Sequence, residues 1–538
     1  MKSVFCSPLP PIDIPQDARN IAGFFFDRMH QLPEFTRSDS PRPLYIAGSP
    51  SAESLTLAQF EELVRSLASG LYHKAGVRPN DTVAVVLPNT IHYPAIMLAV
   101  LLAGATCTPA NPAYTARELA HQLHDAGART VITSQALLPL VKDALALCDS
   151  ADATVLLDDR DHPQSMFGIL CDRPLPAECS DAPADAPALV PYSSGTTGLP
   201  KGVVLSHRNI IANALQVLAV QQPGQPSMPR TAIAVLPMFH SFGLLFLCVL
   251  MPISRTTTVV MPKFDLHGFL RLVDTYRVTD AMLVPPIINA LAKTPGIAER
   301  YNLASLAEVI VGAAPLSAST IEAVESRLPH LLVLQGFGLT EASPAVSLNP
   351  PAGRRPLSVG RLLPSIDAIV LDALGRRLGP NETGELCFRG PNIMLGYLNN
   401  ADETARCIDS DGFFHTGDIG YIDDDCFIYI TDRKKELIKY NGFQVAPAEL
   451  EGILMQHENV KDCAVVGVFD EERQTEVPRA FLVLAGADDA DAAASEVVRW
   501  LDAQVAYYKR LRGGYRLVDA VPKSASGKLL RRMLKEMD

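Results

Sequence analysis

The chain has 538 residues, of which 48% are hydrophobic and 20% charged, and its formal net charge is −12. This length exceeds the roughly 250–300 residues that one hydrophobic core supports, so we expect two or three structural units. The acidic balance argues against general binding to nucleic acids or to an anionic membrane surface.

The distribution of cysteine and of apolar residues predicts a cytoplasmic protein without an integral membrane segment. The ten cysteines include no CxxC pair and no Cys/His cluster at zinc-binding spacing, which favours a reducing compartment. The N-terminal MKSVFCSPLPP lacks the apolar core of a signal peptide. The longest apolar stretches, such as residues 242–253, are shorter than the roughly 20 residues that span a bilayer, and they predict buried helices.

Short apolar runs alternate with amphipathic segments through the first two-thirds of the chain. Each run is rich in strand-forming residues and is bounded by Pro, Gly or Asp. The runs predicted as strands are residues 82–87, 153–157, 231–236, 256–261, 281–284, 308–311 and 331–334. Segments such as 116–126, where Leu119 and Leu123 share a face, predict helices between them. The alternation predicts an α/β fold with largely parallel sheets covered on both sides, whose ligands bind beyond the carboxyl ends of the strands.

Two segments have a composition typical of surface linkers. Residues 179–189 are rich in Asp, Ala and Pro, and residues 485–495 are rich in Ala and Asp. Both are therefore predicted to connect structural elements without forming one.

Residues 192–203 read YSSGTTGLPKGV and lie between two strand-like runs. Glycines let the backbone approach a ligand closely, and successive backbone N–H groups, hydroxyls and one Lys form an anion-binding concavity. The pattern predicts an oligophosphate-binding loop, while a flexible surface linker is the alternative. It is not a Walker P-loop, because Gly202 and Val203 follow Lys201 where that motif requires Ser or Thr.

Further motifs follow other apolar runs, and each also has a purely structural explanation. His240, in PMFHSFGL, fits a buried core histidine. Residues 312–315, GAAP, fit a tight turn, and residues 335–341, QGFGLTE, fit a Gly-x-Gly turn that ends in the helix-capping Thr340. In the last of these, Glu341 offers a hard oxygen ligand for Mg²⁺.

Two charged residues in the last third of the chain are candidates for ligand binding. Asp418, in HTGD, is typical of a turn or cap, but its carboxylate could accept hydrogen bonds from both hydroxyls of a ribose. Lys528, in PKSASGKLLRR, follows small residues that permit an exposed, adaptable loop. Its charge could bridge a substrate carboxylate and an α-phosphate as negative charge shifts during attack, although a solvated basic residue is the simpler explanation.

Together these motifs closely resemble the adenylate-forming superfamily, which includes acyl-CoA synthetases, luciferases and peptide-synthetase adenylation domains. From about Leu55 to the C-terminus, block after block is similar to the 4-coumarate:CoA ligase branch. The resemblance implies the adenylate-forming fold, in which a large N-terminal AMP-binding domain, residues 1–432, precedes a small mobile α+β C-terminal domain, residues 433–538. It also implies that Lys435 lies at the hinge between them.

The resemblance further implies an ATP site, a metal site and an acyl pocket. The ATP-binding residues would be Ser193, Ser194, Gly195, Thr196, Thr197, Gly198, Leu199, Pro200, Lys201, Gly312, Ala313, Ala314, Gln335, Gly336, Phe337, Gly338, Leu339, Thr340, Asp418 and Arg433. Thr340 and Glu341 would hold Mg²⁺. The acyl pocket would be lined by His240, Ser241, Phe242, Gly312, Gly336, Pro344 and Ala345.

Catalytic and CoA-binding roles follow from the same resemblance. The catalytic residues would be Lys528, His240, Lys439 and Gln444, and the CoA-binding residues Lys439, Gly442 and Phe443. Lys528 would serve the formation of the acyl-adenylate. Lys439 and Gln444 would serve the formation of the thioester, after the C-terminal domain rotates. Phe337 stands where the family usually has Tyr, which removes a phenol hydrogen bond. Ala345 stands where many members have Val, which predicts a wider pocket end.

The implied activity is that of an acid–thiol ligase that forms AMP. A carboxylic acid and MgATP would give acyl-AMP and pyrophosphate, and the thiolate of coenzyme A would then give acyl-CoA and AMP. The predicted substrate is a cinnamate-like aryl acid. The alternatives are a medium-chain fatty acid, and transfer of the acyl group to the pantetheine thiol of a carrier protein.

Two functions of other classes share much of this pattern. A luciferase-type oxygenase would be recognised by light emission or oxygen consumption. A non-catalytic adenylate-binding module would be expected to have a degenerate phosphate loop or to lack Lys528, and both are intact here. The Phe239–His240 pair stands where peptide-synthetase domains carry an Asp that meets the substrate amine, which favours an acid without an α-amine.

Overall fold

The structure of the chain is a computed structural model that describes most of its length. The described residues are 4–15, 20–36, 41–49, 52–148, 150, 152–179, 183–193, 200–220, 230–314, 316–433, 436–440, 443–471, 473, 475–486, 489–524 and 527–537. The predicted site residues outside them are Ser194, Gly195, Thr196, Thr197, Gly198, Leu199, Lys435 and Gly442.

The secondary structure consists of short strands and helices that alternate along most of the chain. The strands are β1 Phe5–Cys6, β2 Pro43–Ala47, β3 Ser54–Thr56, β4 Thr82–Val86, β5 Thr106–Pro109, β6 Ala128–Thr133, β7 Thr154–Leu157, β8 Pro187–Leu189, β9 Tyr192–Ser193, β10 Lys201–Ser206, β11 Arg230–Ala234, β12 Thr256–Val260, β13 Asp280–Leu283, β14 Glu308–Val311, β15 Leu332–Gly338, β16 Ala345–Leu348, β17 Arg361–Leu362, β18 Asp367–Leu371, β19 Gly384–Arg389, β20 Gly396–Tyr397, β21 Phe414–Ile422, β22 Ile428–Arg433, β23 Ile438–Tyr440, β24 Phe443–Val445, β25 Val460–Asp470, β26 Thr475–Leu484 and β27 Tyr515–Leu517.

The helices are α1 Ile21–His30, α2 Pro33–Thr36, α3 Leu57–His73, α4 Tyr93–Leu102, α5 Ala116–Asp125, α6 Leu138–Leu147, α7 His207–Val220, α8 Ser241–Leu245, α9 Met251–Ile253, α10 Leu266–Tyr276, α11 Pro285–Lys293, α12 Ile297–Arg300, α13 Ala318–Arg327, α14 Ala401–Cys407, α15 Pro447–Leu454, α16 Ala490–Gln504 and α17 Arg531–Glu536. A π-helical turn, Phe246–Leu250, joins α8 to α9. In the described part of the chain, no helix combines the length and apolar character needed to cross a bilayer.

Two sheets are dominated by parallel pairing. In sheet I the strand order is β20-β10-β8-β5-β4-β6-β7, and β4 is parallel to both of its neighbours. In sheet II the order is β17-β16-β15-β14-β13-β11-β12-β2-β3, and the strands from β15 to β2 are all parallel. Each run predicted as a strand forms one in these two sheets, with ends shifted by a few residues at most. The predicted α/β class is therefore confirmed.

Local capping signals explain where several helices begin. Thr56 at the start of α3 and Thr115 at the start of α5 each accept a hydrogen bond from a backbone N–H three residues on. The side chains of Gln59 and Glu118 in turn accept a hydrogen bond from the backbone N–H of Thr56 and Thr115, so both helices start with a capping box. The helix predicted at 116–126 forms as α5, with its apolar face buried.

Sheet III, in the order β1-β18-β19-β21-β22, is antiparallel throughout, and none of its strands is among the predicted apolar runs. An antiparallel sheet can have one face on the core and one toward solvent, so its strands mix apolar and polar residues. Strand β21, FHTGDIGYI, shows this mixture, since buried residues are interspersed with half-buried ones.

The two predicted linkers are wrong in part. The end of residues 179–189 forms β8, where Ala188 and Leu189 are buried. The end of residues 485–495 is the first turn of α16, whose N-cap Asp489 accepts a hydrogen bond from the backbone N–H of Ala492. Ala is the strongest helix former and Asp a strong N-cap, so the composition that suggested a linker also specifies a helix start.

The C-terminal part of the chain has hydrophobic clusters separate from the large core. One cluster includes Ile438, Leu450, Val465 and Leu501, and another is centred on Phe481. The sheet β25-β26-β27 and helices α15, α16 and α17 build this part. A domain boundary at residues 432 and 433 stays a prediction.

Candidate active site

A cavity of about 1320 Å³ opens at the carboxyl ends of β14 and β15, between α8, β21 and the loop that precedes α17. Pockets for single small ligands typically occupy about 300–1,000 Å³, so this one has room for more than one substrate. The predicted site residues that line it are Ser193, Pro200, Lys201, His240, Ser241, Phe242, Gly312, Ala313, Gly336, Phe337, Gly338, Leu339, Thr340, Glu341, Pro344, Ala345, Asp418, Arg433 and Lys528.

Three candidates whose side chains the structure describes do not line the cavity. Gln335 is buried and bonds the protein itself, because its Oε1 accepts from the Leu316 N–H at 2.9 Å and its Nε2 donates to the Pro356 carbonyl. Ala314 lies beside the cavity-lining Ala313 without reaching the cavity. Lys439 is exposed in β23, where it is paired with Gln444 of β24. For Phe443 and Gln444 the structure describes the backbone alone.

The predicted phosphate loop is flanked by a pair of antiparallel strands. In this pair Ser193 of β9 lies opposite Lys201 of β10. The Lys201 ammonium forms an ion pair with Glu403 of α14 and lies 5.2 Å from the centre of the Tyr397 ring. Both ends of the loop are therefore held at the cavity wall, with a lysine beside it.

Glu341 is the predicted metal ligand, and its carboxylate is held from two sides. Its Oε1 accepts hydrogen bonds from Ser193 Oγ at 3.1 Å and from Tyr397 OH at 2.9 Å. The neighbouring Thr340 Oγ1 lies 3.2 Å from Ser241 Oγ. Among the described residues, no group of three or more His, Cys, Asp and Glu side chains could hold a metal ion. One carboxylate fits Mg²⁺, which proteins often bind through one or two carboxylates together with substrate phosphates.

Two glycines allow the strand ends to approach their neighbours closely. A Cβ on Gly338 would lie 2.2 Å from the Pro344 carbonyl oxygen, and a Cβ on Gly312 would lie 3.2 Å from Cε1 of Phe242. Gly338 therefore permits the bulged pairing of β15 with Ala345 at the start of β16. Gly312 leaves Phe242 room at the cavity wall.

His240 begins helix α8 and is an uncharged residue at neutral pH. Its Nδ1 accepts the backbone N–H of Phe242 at 3.3 Å, as an N-cap does. Burial and, to a smaller extent, the nearby Lys528 charge lower its pKa to about 4. A neutral imidazole can border a carboxylate or a carbonyl without adding a second cation to the cavity.

Asp418 and Arg433 face each other across β21 and β22, and Arg433 Nε lies 2.9 Å from Asp418 Oδ1. Burial raises the pKa of Asp418, while Arg433 and Lys528 oppose that shift. The second oxygen, Oδ2, is buried and has no hydrogen-bond partner in the described part of the structure. A buried acceptor without a partner costs about 1–3 kcal/mol, so this oxygen suits a donor that a ligand brings.

Lys528 reaches the cavity from the C-terminal part of the chain. Burial lowers its pKa, and the Arg433 guanidinium lowers it further, while Glu436, Asp418 and Glu341 act in the opposite sense. The neighbouring Gly527 has φ +80°, and a Cβ there would lie 3.1 Å from Cγ2 of Val284. The glycine lets the loop fit against α11, so that the ammonium can enter the cavity.

Several lining residues are not among the predicted site residues. They are Glu385, Tyr397, Glu403, Arg406, Cys407, Phe414 and His415. Most lie in sheet III or around α14, where no apolar strand precedes them. The Gly396–Tyr397 pair at β20 was a usable signal, because a Cβ on Gly396 would lie 2.8 Å from Cγ2 of Thr404, so the glycine lets β20 approach α14.

Comparisons with known proteins cover almost the whole chain. Residues 35–398 match the family model described as AMP-binding enzyme, and residues 449–528 match the one described as AMP-binding enzyme C-terminal domain. The 4-coumarate–CoA ligase 2 of Oryza sativa subsp. japonica is 37% identical, over 99% of this chain and 95% of its own length.

Solved structures share the fold of the chain from end to end. ATP-bound MatB from Rhodopseudomonas palustris has 28% identity and a TM-score of 0.82, and the match covers 96% of this chain and 98% of that one. The o-succinylbenzoate CoA synthetase of Bacillus subtilis, in complex with its acyl-adenylate intermediate, has 26% identity and a TM-score of 0.77, with coverage of 96% and 98%.

Proposed function

The chain belongs to the AMP-binding enzyme family, as its motifs predict, and we propose that it is an ATP-dependent carboxylic acid:CoA ligase. One observation carries the proposal: Lys528 lines the same cavity as Asp418, whose buried Oδ2 has no hydrogen-bond partner among the described residues. The oxygen suits a ribose hydroxyl, and the ammonium suits an acyl carboxylate or an α-phosphate. The 4-coumarate–CoA ligase relative supports coenzyme A as the acceptor.

The proposed acid is an aryl acid of the cinnamate type. The lining of the cavity includes the apolar side chains of Val217, Phe242, Phe246, Ile310 and Leu348. The Phe242 and Phe246 rings form a T-shaped pair with centroids 5.0 Å apart. Such a pair presents an edge and a face to a third ring, which an aliphatic chain cannot use in the same way. A medium-chain fatty acid is the competing substrate.

In the first half-reaction, a carboxylate oxygen of the acid attacks the α-phosphorus of ATP, and pyrophosphate leaves. Asp418 holds the ribose, and Thr340 and the strands that flank the phosphate loop hold the phosphates. Lys528 lies between the negative groups that must approach each other, and its charge offsets their repulsion. Catalysis of this kind rests on positioning and on charge stabilisation.

The proposed magnesium ligand is Glu341, beside Thr340. Bound Mg²⁺ would neutralise charge on the ATP phosphates. The protein's own contribution is to hold the Glu341 carboxylate in place at the cavity, through hydrogen bonds from the hydroxyls of Ser193 and Tyr397.

In the second half-reaction, the thiolate of coenzyme A attacks the acyl carbon of the adenylate, and AMP leaves. We propose that Lys439, Gly442, Phe443 and Gln444 serve this step after the C-terminal domain, residues 433–538, rotates about Lys435. The exposed position of Lys439, away from the cavity, supports an arrangement in which the two sets of residues act in turn. Transfer to a carrier-protein pantetheine is the alternative.

We place the enzyme in the cytoplasm. The support is chemical: all ten cysteines lie within the described residues, and all are free thiols.

The proposed function is tested by acid-dependent pyrophosphate release from MgATP. The panel contains cinnamates, benzoates, phenylacetates and C4–C16 fatty acids, each with and without coenzyme A, and the products are identified by mass. We expect release with cinnamates, together with AMP and an acyl-CoA. Release with fatty acids alone would replace the aryl assignment, and release without a thioester would point to a carrier protein. The absence of pyrophosphate release with every acid of the panel would reject the proposed ligase function.

A further inference from the structure

Helix α7 presents a stripe of three buried amides where a core-facing helix usually presents apolar residues. Asn209, Asn213 and Gln216 lie four and then three positions apart, so they share one face. Their exposed fractions are 6%, 0% and 0%. Burying an amide is costly unless its hydrogen bonds are satisfied, so the partners of these side chains indicate what the stripe holds.

Asn213 holds both backbone groups of a single residue at the cavity wall. Its Oδ1 accepts the N–H of Ala345 at 3.0 Å, and its Nδ2 donates to the carbonyl of Ala345 at 2.8 Å. This double contact reproduces what a neighbouring strand would offer. Ala345 starts β16 and lines the cavity, so one side chain of α7 fixes the backbone position of a cavity-lining residue.

Two further amides hold Asn213 in place. Gln216 Oε1 accepts from Asn213 Nδ2 at 2.9 Å, and Gln216 Nε2 donates to the Pro364 carbonyl at 2.9 Å and to Asn392 Oδ1 at 3.3 Å. Asn392 Nδ2 in turn donates to the carbonyls of Ala342 and Ala345, at 2.8 and 3.1 Å. Asn213, Gln216 and Asn392 therefore form one connected hydrogen-bond network that holds the backbone of residues 342–345.

The segment above this network carries different functions at its two ends. Glu341 bonds Ser193 and Tyr397 beside the predicted phosphate loop, while Pro344 and Ala345 line the cavity as predicted members of the acyl pocket. The Glu341 end is fixed separately, since its carbonyl accepts the N–H of Met394 at 2.9 Å. Loss of the Asn213 contact should therefore disturb the apolar end more than the phosphate end.

We propose that Asn213 is a positioning residue that sets the acid selectivity of the enzyme by fixing the backbone of Ala345 at the wall of the acyl pocket, with Gln216 and Asn392 as its supports. The inference rests on the proposed ligase function. It predicts that the pocket discriminates between acids through the position of its backbone as well as through the size of the side chain at residue 345.

Asn209 provides a matched control on the same helix face. Its Nδ2 donates to the carbonyls of Pro391 and Ile393, at 2.8 and 2.9 Å, and its Oδ1 accepts the Ser206 N–H at 2.8 Å. The side chain of Asn209 thus makes three hydrogen bonds, as that of Asn213 does, but none of its partners belongs to residues 342–345. Truncation of either residue should destabilise the protein to a similar degree.

The experiment compares Asn213→Ala with Asn209→Ala in the full-length chain. For each variant, kcat/KM is measured by pyrophosphate release for the preferred acid and for a bulkier analogue, together with KM for ATP and the thermal midpoint. We expect Asn213→Ala to move the ratio of the two kcat/KM values toward one by at least about fivefold, with KM for ATP changed less than twofold. Asn209→Ala should leave the ratio within twofold while lowering the midpoint similarly.

A second pair of variants covers the case in which Asn213→Ala does not fold. Asn213→Asp keeps the acceptor for the Ala345 N–H and loses the donors, and Gln216→Met keeps volume and removes a support. Both should shift the ratio in the same direction by a smaller factor. Equal ratios in all variants, or equal shifts in the Asn209 and Asn213 variants, would overturn the inference. If the wild type released no pyrophosphate with any acid, the proposed function would fail, and this inference with it.

Discussion

At the residue scale, burial shifts the pKa of several side chains in and near the cavity. His240 is neutral because burial lowers its pKa to about 4, and Lys528 has a lowered pKa for the same first reason. The pKa of Asp432, at the end of β22, shifts in the opposite direction, since burial raises the pKa of this carboxyl to about 7. Two of these groups give predictions that can be checked separately.

We expect Lys528→Ala to lower the rate of acyl-adenylate formation by at least about a hundredfold, because the ammonium offsets charge that builds up during the attack. Conversion of a supplied acyl-AMP to acyl-CoA should stay within about threefold of the wild type. The two half-reactions are measured separately by pyrophosphate release and by thioester formation. The exposed Lys535 provides the control variant Lys535→Ala. Equal loss of both half-reactions would contradict the assigned role.

Asp432 predicts a pH dependence of stability. Its folded-state pKa of about 7 lies above the ordinary value of 3.8, so the folded state keeps a proton that the unfolded state releases. The associated stability is complete below about pH 4 and is lost as the pH rises through 7. Between pH 5 and pH 8 we expect Asp432→Asn to gain about 3 kcal/mol relative to the wild type, at about 1.4 kcal/mol per pH unit.

The measurement is the thermal midpoint of both proteins at pH 5 and at pH 8. Asp519→Asn, which alters an exposed carboxylate, serves as the control. A difference between Asp432→Asn and the wild type that does not change with pH would show that Asp432 is ionised throughout this range.

At the element scale, strand β15 shows how closely the backbone is packed around the site. The segment from Gly336 to Gly338 pairs with β16 through a bulge, and the Leu339 N–H donates to the Pro344 carbonyl at 2.9 Å. A side chain on Gly338 has no space, because its Cβ would lie 2.2 Å from that same carbonyl oxygen. The clash can be relieved only by moving the segment that follows β15, several residues of which line the cavity.

Gly338→Ala should therefore lower kcat/KM for both ATP and acid by at least about tenfold, since the shift displaces both ends of the cavity. Gly23→Ala is the matched control, because a Cβ at this exposed position in α1 meets nothing within 4 Å. The kinetic constants of the two variants are compared after their thermal midpoints are checked. Full activity of Gly338→Ala would mean that the bulge can open without cost.

The elements that the sequence predicts best are those whose signal is local. Apolar runs gave the strands of sheets I and II, and Gly-rich motifs after them gave Lys201, Thr340 and Glu341 at the cavity. Sheet III escaped, because strands such as β21 mix polar and apolar residues. Gln335 was assigned to ATP from its place in a motif, whereas its amide bonds Leu316 and Pro356, which no local pattern reveals.

At the scale of the whole molecule, the C-terminal part contacts the large core through a few specific groups. Lys293, at the end of α11, donates from Nζ to the carbonyl of Val460 in β25 at 3.1 Å. Burial lowers the pKa of Lys293, and the nearby Cys463 and Asp462 oppose that shift. Together with the contact of Gly527 on Val284, this bond holds the arrangement in which Lys528 reaches the cavity.

We expect Lys293→Met to slow adenylation by about threefold to tenfold, because the variant keeps the apolar stem but loses the bond that favours this arrangement. The CoA-dependent step on supplied acyl-AMP should be unchanged or faster. The ratio of the two half-reaction rates is the readout, and Lys263→Met, at an exposed lysine, is the control. A parallel fall of both rates would show that Lys293 supports stability alone.

The unpaired Oδ2 of Asp418 has a consequence for the choice between nucleotide pools. A site built to receive a hydroxyl penalises an analogue that lacks it, because the buried acceptor then stays unsatisfied. We expect 2′-deoxy-ATP or 3′-deoxy-ATP, according to which hydroxyl meets Oδ2, to be used at least about tenfold less efficiently than ATP. Equal use of both analogues and ATP would contradict this. The enzyme would thus draw on energy-carrying ribonucleotides and spare the precursors of DNA.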